Sequence, residues 1–314
     1  MSRWKVAIAV VLLVLIAGGS AWTFWSYRSA DRETVDLDDQ ARRLAPGWFM
    51  RLSAGITHYQ AAGPDDGVPL LLVPGFSVPY TVWDPTFWGL ANSDVRVIRY
   101  DLYGRGWSDR PDASYDAAFY DRQILDLIDA LKLPQIDIAG LSMGGPIAAA
   151  FANRHPQRVR RVLLFDPGYW TGGGPPFWLR TPLLGEYNMT VWVAPTLPQG
   201  QWADFAHPER FPDYLVPYHT QMRYRGYRRA LLRTLRNYLS QDVTGEYAAL
   251  GRGGKPVLLV WGKADRDVPF ALIEPVRRAI PQAEFHAIDD AAHIPHYEHP
   301  EVVNPIVIDF LRRP

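Results

Sequence analysis

The chain has 314 residues, which is enough for one large α/β core that carries an insertion. Its 33 basic and 33 acidic residues balance, and this argues against a polyanionic partner such as nucleic acid. The sequence contains no cysteine, which excludes disulfides, thiolate metal sites and a cysteine nucleophile.

The amino-terminal stretch predicts a membrane segment. No charged residue occurs from Val6 to Trp25, and as a helix this run would span about 30 Å, the thickness of a bilayer's hydrocarbon core. We predict an uncleaved membrane anchor over residues 1–28. The alternative is a cleaved signal peptide, because the strongest apolar block, Val6 to Ala17, is short and Gly19-Ser20-Ala21 resembles a cleavage site.

Charge around this segment predicts its orientation. Arg3 and Lys5 precede the span, whereas five acidic residues follow it between positions 31 and 39. The positive-inside tendency then leaves the amino terminus in the cytoplasm and places the bulk of the chain outside it, or leads to secretion if the segment is cleaved. Residues 29–47 are polar and acidic, and they predict a linker or short helix.

From residue 48 onward the pattern alternates between strands and helices. Trp48 to Ala62 predicts a β-hairpin, and a helix is predicted near each of 115–131 and 301–311. Apolar runs predict further strands at 69–73, 95–101, 136–139, 159–165, 256–261 and 284–288. The fold class is therefore α/β, with a mostly parallel sheet and helices on both faces.

One segment breaks this alternation. Residues 168–250 are rich in proline and aromatic residues and are helical in periodicity only in places, such as Tyr227 to Leu239. This predicts an insertion at a strand end, which divides the core into a first part, 48–167, and a second part, 251–314.

The stretch Gly140-Leu141-Ser142-Met143-Gly144 lies between a predicted strand and a predicted helix. This G-x-S-x-G pattern in a strand–turn–helix context is typical of a nucleophile elbow, which raises the serine hydroxyl above the sheet edge. The alternative is that Ser142 is an ordinary turn residue.

A serine nucleophile needs a histidine base, and the histidine needs a carboxylate that fixes its tautomer. Asp265 and His293 each follow a late strand, in the order Ser, Asp, His. Because ligands of such sheets bind outside the carboxyl ends of the strands, we expect these side chains to meet Ser142 there. Other residues compete for these two roles, namely Asp267, His296 and His299.

A developing oxyanion needs two amide donors. The elbow offers the Met143 N–H, and the loop after the strand at 69–73 offers the Phe76 N–H, where Gly75 allows close approach of the backbone. The alternative for Pro74-Gly75-Phe76 is a simple turn at the end of a strand.

These residues resemble the α/β-hydrolase family of serine esterases and lipases across roughly residues 50 to 314. The matching stretches are Gly75 with Trp83, residues 100–109, residues 140–145, residues 261–265, and His293 with Glu298 and Pro300. The resemblance implies that 168–250 is a mainly helical cap over the active site. The layout of an anchor followed by a hydrolase is similar to that of membrane-bound monoacylglycerol lipases.

Two positions refine the resemblance. Pro74 stands where relatives usually carry histidine, which alters the rigidity of the loop more than the number of its donors. Ser142 stands where epoxide hydrolases and haloalkane dehalogenases carry aspartate, which argues against an alkyl-enzyme mechanism.

The predicted function is a membrane-anchored serine hydrolase that cleaves small, hydrophobic carboxylic esters with no metal or organic cofactor. Ser142, His293 and Asp265 form the predicted triad, and the Phe76 and Met143 amides form the oxyanion hole. A carbon–carbon bond hydrolase or a cofactor-free perhydrolase could use the same triad. A non-catalytic, membrane-tethered binding module is the alternative from another class.

Overall fold

A computed structural model describes residues 3–313. Residues 1 and 2 of the predicted anchor and residue 314 of the predicted second part of the core lie outside the described residues. Eight strands form, β1 (Trp48–Leu52), β2 (Gly55–Ala62), β3 (Leu70–Val73), β4 (Val97–Tyr100), β5 (Ile136–Leu141), β6 (Val159–Phe165), β7 (Val257–Gly262) and β8 (Glu284–Ile288). The α-helices are α1 (Arg3–Ala30), α2 (Asp39–Arg42), α3 (Asp84–Ala91), α4 (Ala117–Ala130), α5 (Gly144–Arg154), α6 (Phe177–Arg180), α7 (Leu184–Asn188), α8 (Leu197–Gly200), α9 (Leu215–Met222), α10 (Tyr227–Asn237), α11 (Thr244–Arg252), α12 (Ile273–Ala279), α13 (Pro295–Glu298) and α14 (Pro300–Arg312). Shorter 3-10 and π turns occur at Tyr80–Trp83, Met189–Val193, Ala194–Thr196, Gln201–Asp204, Pro208–Arg210 and Phe270–Leu272.

The strands make one sheet in the order β1-β2-β4-β3-β5-β6-β7-β8. β2 is antiparallel to both β1 and β4, and every later pairing is parallel. The mostly parallel sheet predicted from the apolar runs is therefore confirmed. Because its central strands are parallel, their carboxyl ends share one edge, and the loops that follow them are neighbours there.

Helices cover both faces of the sheet, as predicted. Alternate side chains of a strand point to opposite faces, so Leu71 and Val73 of β3 join one apolar layer while Leu70 and Leu72 join the other. The first layer contains residues of α4, α5, α11 and α12, and the second contains residues of α3 and α14. This two-sided burial explains why the central strands are continuous apolar runs rather than alternating ones.

Between β6 and β7 the chain forms short helices that lie over the carboxyl edge of the sheet. We call residues 168–243 the cap. Tyr218 and Tyr227 of the cap donate hydrogen bonds to Ser77 in the loop after β3, at 2.9 and 3.0 Å. The next helix, α11, packs against α5 instead, so it belongs to the helical layer of the sheet.

The segment that joins α1 to the sheet is attached to the cap. Glu33 accepts hydrogen bonds from the amides of Gly226 and Arg228, at 2.8 and 2.6 Å. The Arg228 guanidinium also pairs with Asp31 at 2.6 Å. The end of α1 contacts the cap directly, with the Ser26 and Tyr187 hydroxyls 2.9 Å apart. The linker therefore holds the cap beside the end of α1.

Gly144, at the turn after β5, can be tested for close packing with Gly245 of α11 as the control. A Cβ on Gly144 would lie 2.5 Å from the Val73 carbonyl oxygen and 2.8 Å from that of Pro74, whereas a Cβ on Gly245 would meet nothing within 4 Å. We expect Gly144→Ala to lower the free energy of unfolding by about 1–3 kcal/mol, because backbone atoms must move. Gly245→Ala should raise it by about 0.5–1 kcal/mol, since alanine favours a helix. Thermal unfolding of the two variants checks this, and equal melting temperatures would contradict it.

Candidate active site

Ser142 occupies a strained turn between β5 and α5. Its φ of +52° lies in the left-handed region, which a residue with a side chain adopts only when its surroundings impose it. The Ser142 amide donates to the Phe165 carbonyl at 3.0 Å, and its own carbonyl accepts from Gly145 and Gly168, each at 2.9 Å. These three bonds hold the strained turn, which is the backbone shape of a nucleophile elbow.

Asp265 and His293 are brought together by two linked loops. The Lys263 amide donates to the Ile288 carbonyl at 3.0 Å, and the Ala264 amide donates to that of Ala291 at 2.9 Å. The loop after β7 is thereby held against the loop after β8. His293 Nδ1 then lies 2.8 Å from Asp265 Oδ2, and both side chains are buried.

This contact defines the tautomer of the imidazole. A carboxylate accepts but does not donate, so Nδ1 of His293 carries the proton and Nε2 is free to accept one. The other oxygen of Asp265, Oδ1, accepts from the amides of Asp267 and Val268, at 2.8 and 3.0 Å. The carboxylate is therefore fixed in orientation from both sides.

Ser142 and His293 line one cavity of about 290 Å³, which the cap covers. Gly75 and Phe76 line the same cavity, and a Cβ on Gly75 would be 3.5 Å from the Ser142 Cβ. The structure thus places the serine, the histidine and the loop after β3 around one small space.

The two competing histidines are engaged elsewhere. His296 is buried beneath Trp83, and its Nε2 lies 3.0 Å from the Val82 carbonyl oxygen. Burial lowers the pKa of His296 to about 3, so it remains neutral. His299 contacts the Asp290 carbonyl and Glu301 near the surface. Asp267 does line the cavity, although its backbone amide, rather than its carboxylate, contacts Asp265.

The two amides predicted to bind the oxyanion make no hydrogen bond within the described part of the chain. Over residues 3–313, neither the Phe76 nor the Met143 amide donates to a protein acceptor. Arg105 Nε donates to the Phe76 carbonyl oxygen at 2.8 Å and so anchors this loop from behind. Free amides at a turn that is held on both sides are what an oxyanion site requires.

Glu298 connects the histidine loop to the cap. Its Oε2 accepts from the Ala292 amide at 2.7 Å, and its Oε1 accepts from the amides of Ala206 and His207, at 2.8 and 3.3 Å. The position of His293 therefore depends on where the cap lies.

Two carboxyl groups near His293 were missed at the sequence level. Asp166 directly follows β6, has a φ of +40°, and accepts from the Gly262 amide at 2.9 Å. Its position at a strand end was a usable signal. Asp204 reaches the cavity from the 3-10 turn Gln201–Asp204 of the cap, and no motif marks it.

Asp166, Asp265 and His293 offer ligand atoms within 4.8 Å of one another, as a cation site would. Both oxygens of Asp265 and Nδ1 of His293 already make hydrogen bonds, which a metal would have to displace. Burial, followed by the charge of Asp265, raises the pKa of Asp166 well above its usual range. Asp166 thus lies beside the Asp265–His293 pair as a carboxyl group whose protonated form is favoured by burial.

The electrostatics of His293 predict an activity that rises with pH. Burial alone would lower its pKa, but the hydrogen bond and charge of Asp265, with the charges of Asp204 and Asp267, outweigh burial and raise the pKa to about 9. If His293 is the base, only its neutral form accepts a proton from Ser142. We expect kcat/KM for an ester to rise about tenfold per pH unit below this pKa and to level off above it. Initial rates from pH 6 to 10 check this, and a flat profile would contradict it.

Comparison with known proteins identifies the fold family. Residues 70–306 match the family model described as "Alpha/beta hydrolase family". The chain belongs to this family. The alpha/beta hydrolase is 31% identical over 258 residues to the 2-hydroxymuconate semialdehyde hydrolase of Pseudomonas putida, which covers 78% of this chain and 88% of the relative.

Further relatives of this alpha/beta hydrolase have different names. It is 26% identical over 293 residues to Lipase 1 of Psychrobacter immobilis, covering 85% of this chain and 82% of the lipase. A thermophilic esterase from Thermogutta terrifontis superimposes with a TM-score of 0.69 and 26% identity, covering 85% and 98% of the two chains. The family and its hydrolase relatives support a hydrolase, while the bond that is cleaved differs among the relatives.

Proposed function

We propose that this alpha/beta hydrolase is a membrane-anchored serine hydrolase that cleaves carboxylic esters with an apolar acyl group. The observation that carries the proposal is the strained Ser142 beside the cavity that it shares with the hydrogen-bonded His293–Asp265 pair. An unstrained serine would serve an ordinary turn equally well, so the imposed strain supports a functional role.

In the proposed mechanism, Ser142 Oγ attacks the ester carbonyl while His293 Nε2 accepts its proton. Asp265 holds the imidazole and stabilises the imidazolium that forms. The Phe76 and Met143 amides bind the oxyanion, and the loss of one such donor typically costs about 3 kcal/mol of transition-state stabilisation. His293 then protonates the leaving alcohol, and water activated by the same histidine releases the acid.

Two cavities support an apolar acyl group. The catalytic cavity has an apolar wall formed by Val78, Val82, Leu197 and Ile294. A second, mostly apolar cavity of about 600 Å³ lies between the end of α1 and the cap. Residues of the segment 194–198 line both cavities, so this stretch of cap lies between them.

The anchor is supported by α1 and by the surface of the cap next to it. α1 is long and apolar enough to cross a membrane, a test that a signal sequence also passes, and none of its residues is buried. Among the described residues outside α1, ten large apolar side chains are exposed, and half of them are in one cap segment (Phe177, Trp178, Leu183, Leu184 and Trp192). Part of this segment, Met189–Val193, packs against α1. An apolar patch beside a candidate span fits a membrane-facing surface.

The anchor proposal predicts the behaviour of the protein in cell fractions. The full chain should remain in the membrane pellet after high-salt and carbonate washes and should dissolve only in detergent, because α1 is held by hydrophobic burial rather than by charge. A variant that lacks residues 1–28 should lose most of this retention. Finding the full chain in the carbonate supernatant would contradict the anchor, and finding it shortened at its amino terminus would instead support a cleaved signal peptide.

The ester proposal is tested with purified full-length protein in detergent. We expect hydrolysis of p-nitrophenyl esters and covalent labelling by a fluorophosphonate probe, which reacts with activated serines. Failure to label would contradict the proposal and favour a non-catalytic binding module.

A second candidate is hydrolysis of a carbon–carbon bond, which the 31% identity to 2-hydroxymuconate semialdehyde hydrolase favours. The same triad could serve this reaction. The two candidates are distinguished by measuring kcat/KM for 2-hydroxymuconate semialdehyde and for a p-nitrophenyl ester with the same protein preparation. A higher kcat/KM for the semialdehyde would overturn the ester proposal.

A further inference from the structure

The cap side of the catalytic cavity contains two buried acceptors without partners. Asp204 is 4% exposed and Gln201 is 9% exposed, and both line the cavity with Ser142 and His293. Within the described chain, no hydrogen bond reaches Asp204 Oδ1 or Gln201 Oε1. Buried polar atoms are nearly always paired in folded proteins, so two unpaired acceptors on side chains that line one cavity indicate a ligand that donates hydrogen bonds.

The charge of the cavity restricts what that ligand can be. Asp267 adds a third acidic or amide side chain to the lining. Among the described residues, no arginine or lysine lines this cavity. When the His293 imidazolium forms it is already paired with Asp265, so the described lining offers a carboxylate ligand no unpaired cation beside the carboxyl groups of Asp204 and Asp267. A hydroxyl group or a protonated amine, by contrast, can donate to them.

The location of these acceptors shows which part of an ester they would contact. Asp204 and His293 line the same cavity; burial raises the pKa of the Asp204 carboxyl well above its usual range, and the charge of the imidazolium acts in the opposite direction. His293 must reach both the serine and the leaving oxygen, so the alcohol portion of the ester leaves on the histidine side of the cavity. The apolar residues of the lining, such as Val78 and Val82, remain for the acyl group.

We propose that Asp204, Gln201 and Asp267 bind a hydrogen-bond-donating group, a hydroxyl or a protonated amine, on the alcohol portion of the substrate. This inference rests on the proposed ester hydrolysis and adds the class of alcohol. The preferred substrate is then an ester with an apolar acyl chain and a polar, uncharged or cationic alcohol, and anionic alcohols are excluded.

Esters with one acyl group and matched alcohols test the proposal on the full-length protein. Butyl butyrate and 3-hydroxypropyl butyrate differ by a methyl group in place of a hydroxyl. The pair of 3-methylbutyl and 2-(dimethylamino)ethyl butyrate differs by a carbon in place of a protonated nitrogen, and 3-carboxypropyl butyrate supplies the anion. We expect the wild type to favour at least one donor-bearing ester over its carbon partner by about tenfold or more in kcat/KM, with the anionic ester the poorest.

Variants test whether Asp204 and Gln201 cause the preference for donor-bearing alcohols. Asp204→Asn keeps the size of the side chain, and it should reduce an ammonium preference by about tenfold or more, whereas Gln201→Met should reduce a hydroxyl preference. Asp213→Asn, at an exposed aspartate of the cap, is the matched control and should leave both ratios unchanged. A preference for the amine alone or for the hydroxyl alone identifies which donor the site selects.

Several outcomes would overturn the inference. Equal or better turnover of the carbon partners or of the anionic ester by the wild type would do so without any variant. A uniform loss for all five esters in Asp204→Asn and Gln201→Met would mean that these residues act only through His293 or through the cap. If the wild type hydrolysed no ester at all, the ester proposal itself would fail, and this inference with it.

Discussion

Ser142→Ala should abolish hydrolysis, with kcat/KM for p-nitrophenyl butyrate lower by about 10⁴-fold or more and no labelling by a fluorophosphonate. The variant removes the hydroxyl of the proposed nucleophile and nothing else. Alanine at position 142 bears the same backbone strain at a φ of +52°, and the three backbone bonds of the turn do not involve the hydroxyl. The melting temperature should therefore stay close to that of the wild type.

The matched control is Ser114→Ala, which removes an exposed hydroxyl in the loop before α4. It should keep full activity and labelling. Activity that survives in Ser142→Ala would refute the nucleophile assignment, and a large fall in melting temperature would show that the hydroxyl has a structural role.

Asp265→Asn should lower kcat by about 10⁴-fold, because it reverses the tautomer of the imidazole. The amides of Asp267 and Val268 donate to Oδ1 and would keep the oxygen of an asparagine on their side. The amide NH₂ then faces His293 Nδ1 and donates to it, so the histidine proton moves to Nε2. In this form His293 cannot accept the proton of Ser142.

The control for this variant is Asp289→Asn, which breaks an exposed pair with Lys263 and should change neither kcat nor stability by much. Asp166 offers an alternative carboxylate within 4.8 Å of His293. Substantial activity in Asp265→Asn that disappears in the double variant with Asp166→Asn would assign the acid role to Asp166 instead.

Much of the fold could be predicted from local sequence. Continuous apolar runs indicated the central parallel strands, because a strand covered on both faces has no polar side, and the structure confirms the parallel sheet. The elbow was recognisable for a similar reason. A G-x-S-x-G turn needs a strand before it and a helix after it, and β5 and α5 occupy those places.

The cap could not be predicted in the same detail. Its helices are short, and several contain proline, so periodicity over a long window is absent. Their placement depends on contacts between residues far apart in sequence, such as Tyr218 with Ser77 and Glu298 with Ala206. For the same reason the sequence predicted only a linker or short helix at 29–47 and not its attachment to the cap, since its partners Gly226 and Arg228 lie nearly two hundred positions later.

The sequence by itself determined the order of the strands and helices and the loops in which Ser142, Asp265 and His293 lie, because these follow from local patterns of apolar and turn residues. The tertiary structure alone decided that Asp265, and not Asp267, contacts His293, that His296 is a buried neutral residue, and that Asp204 faces the catalytic cavity. Hydrogen bonds between distant loops make these choices, and no stretch of neighbouring residues encodes them.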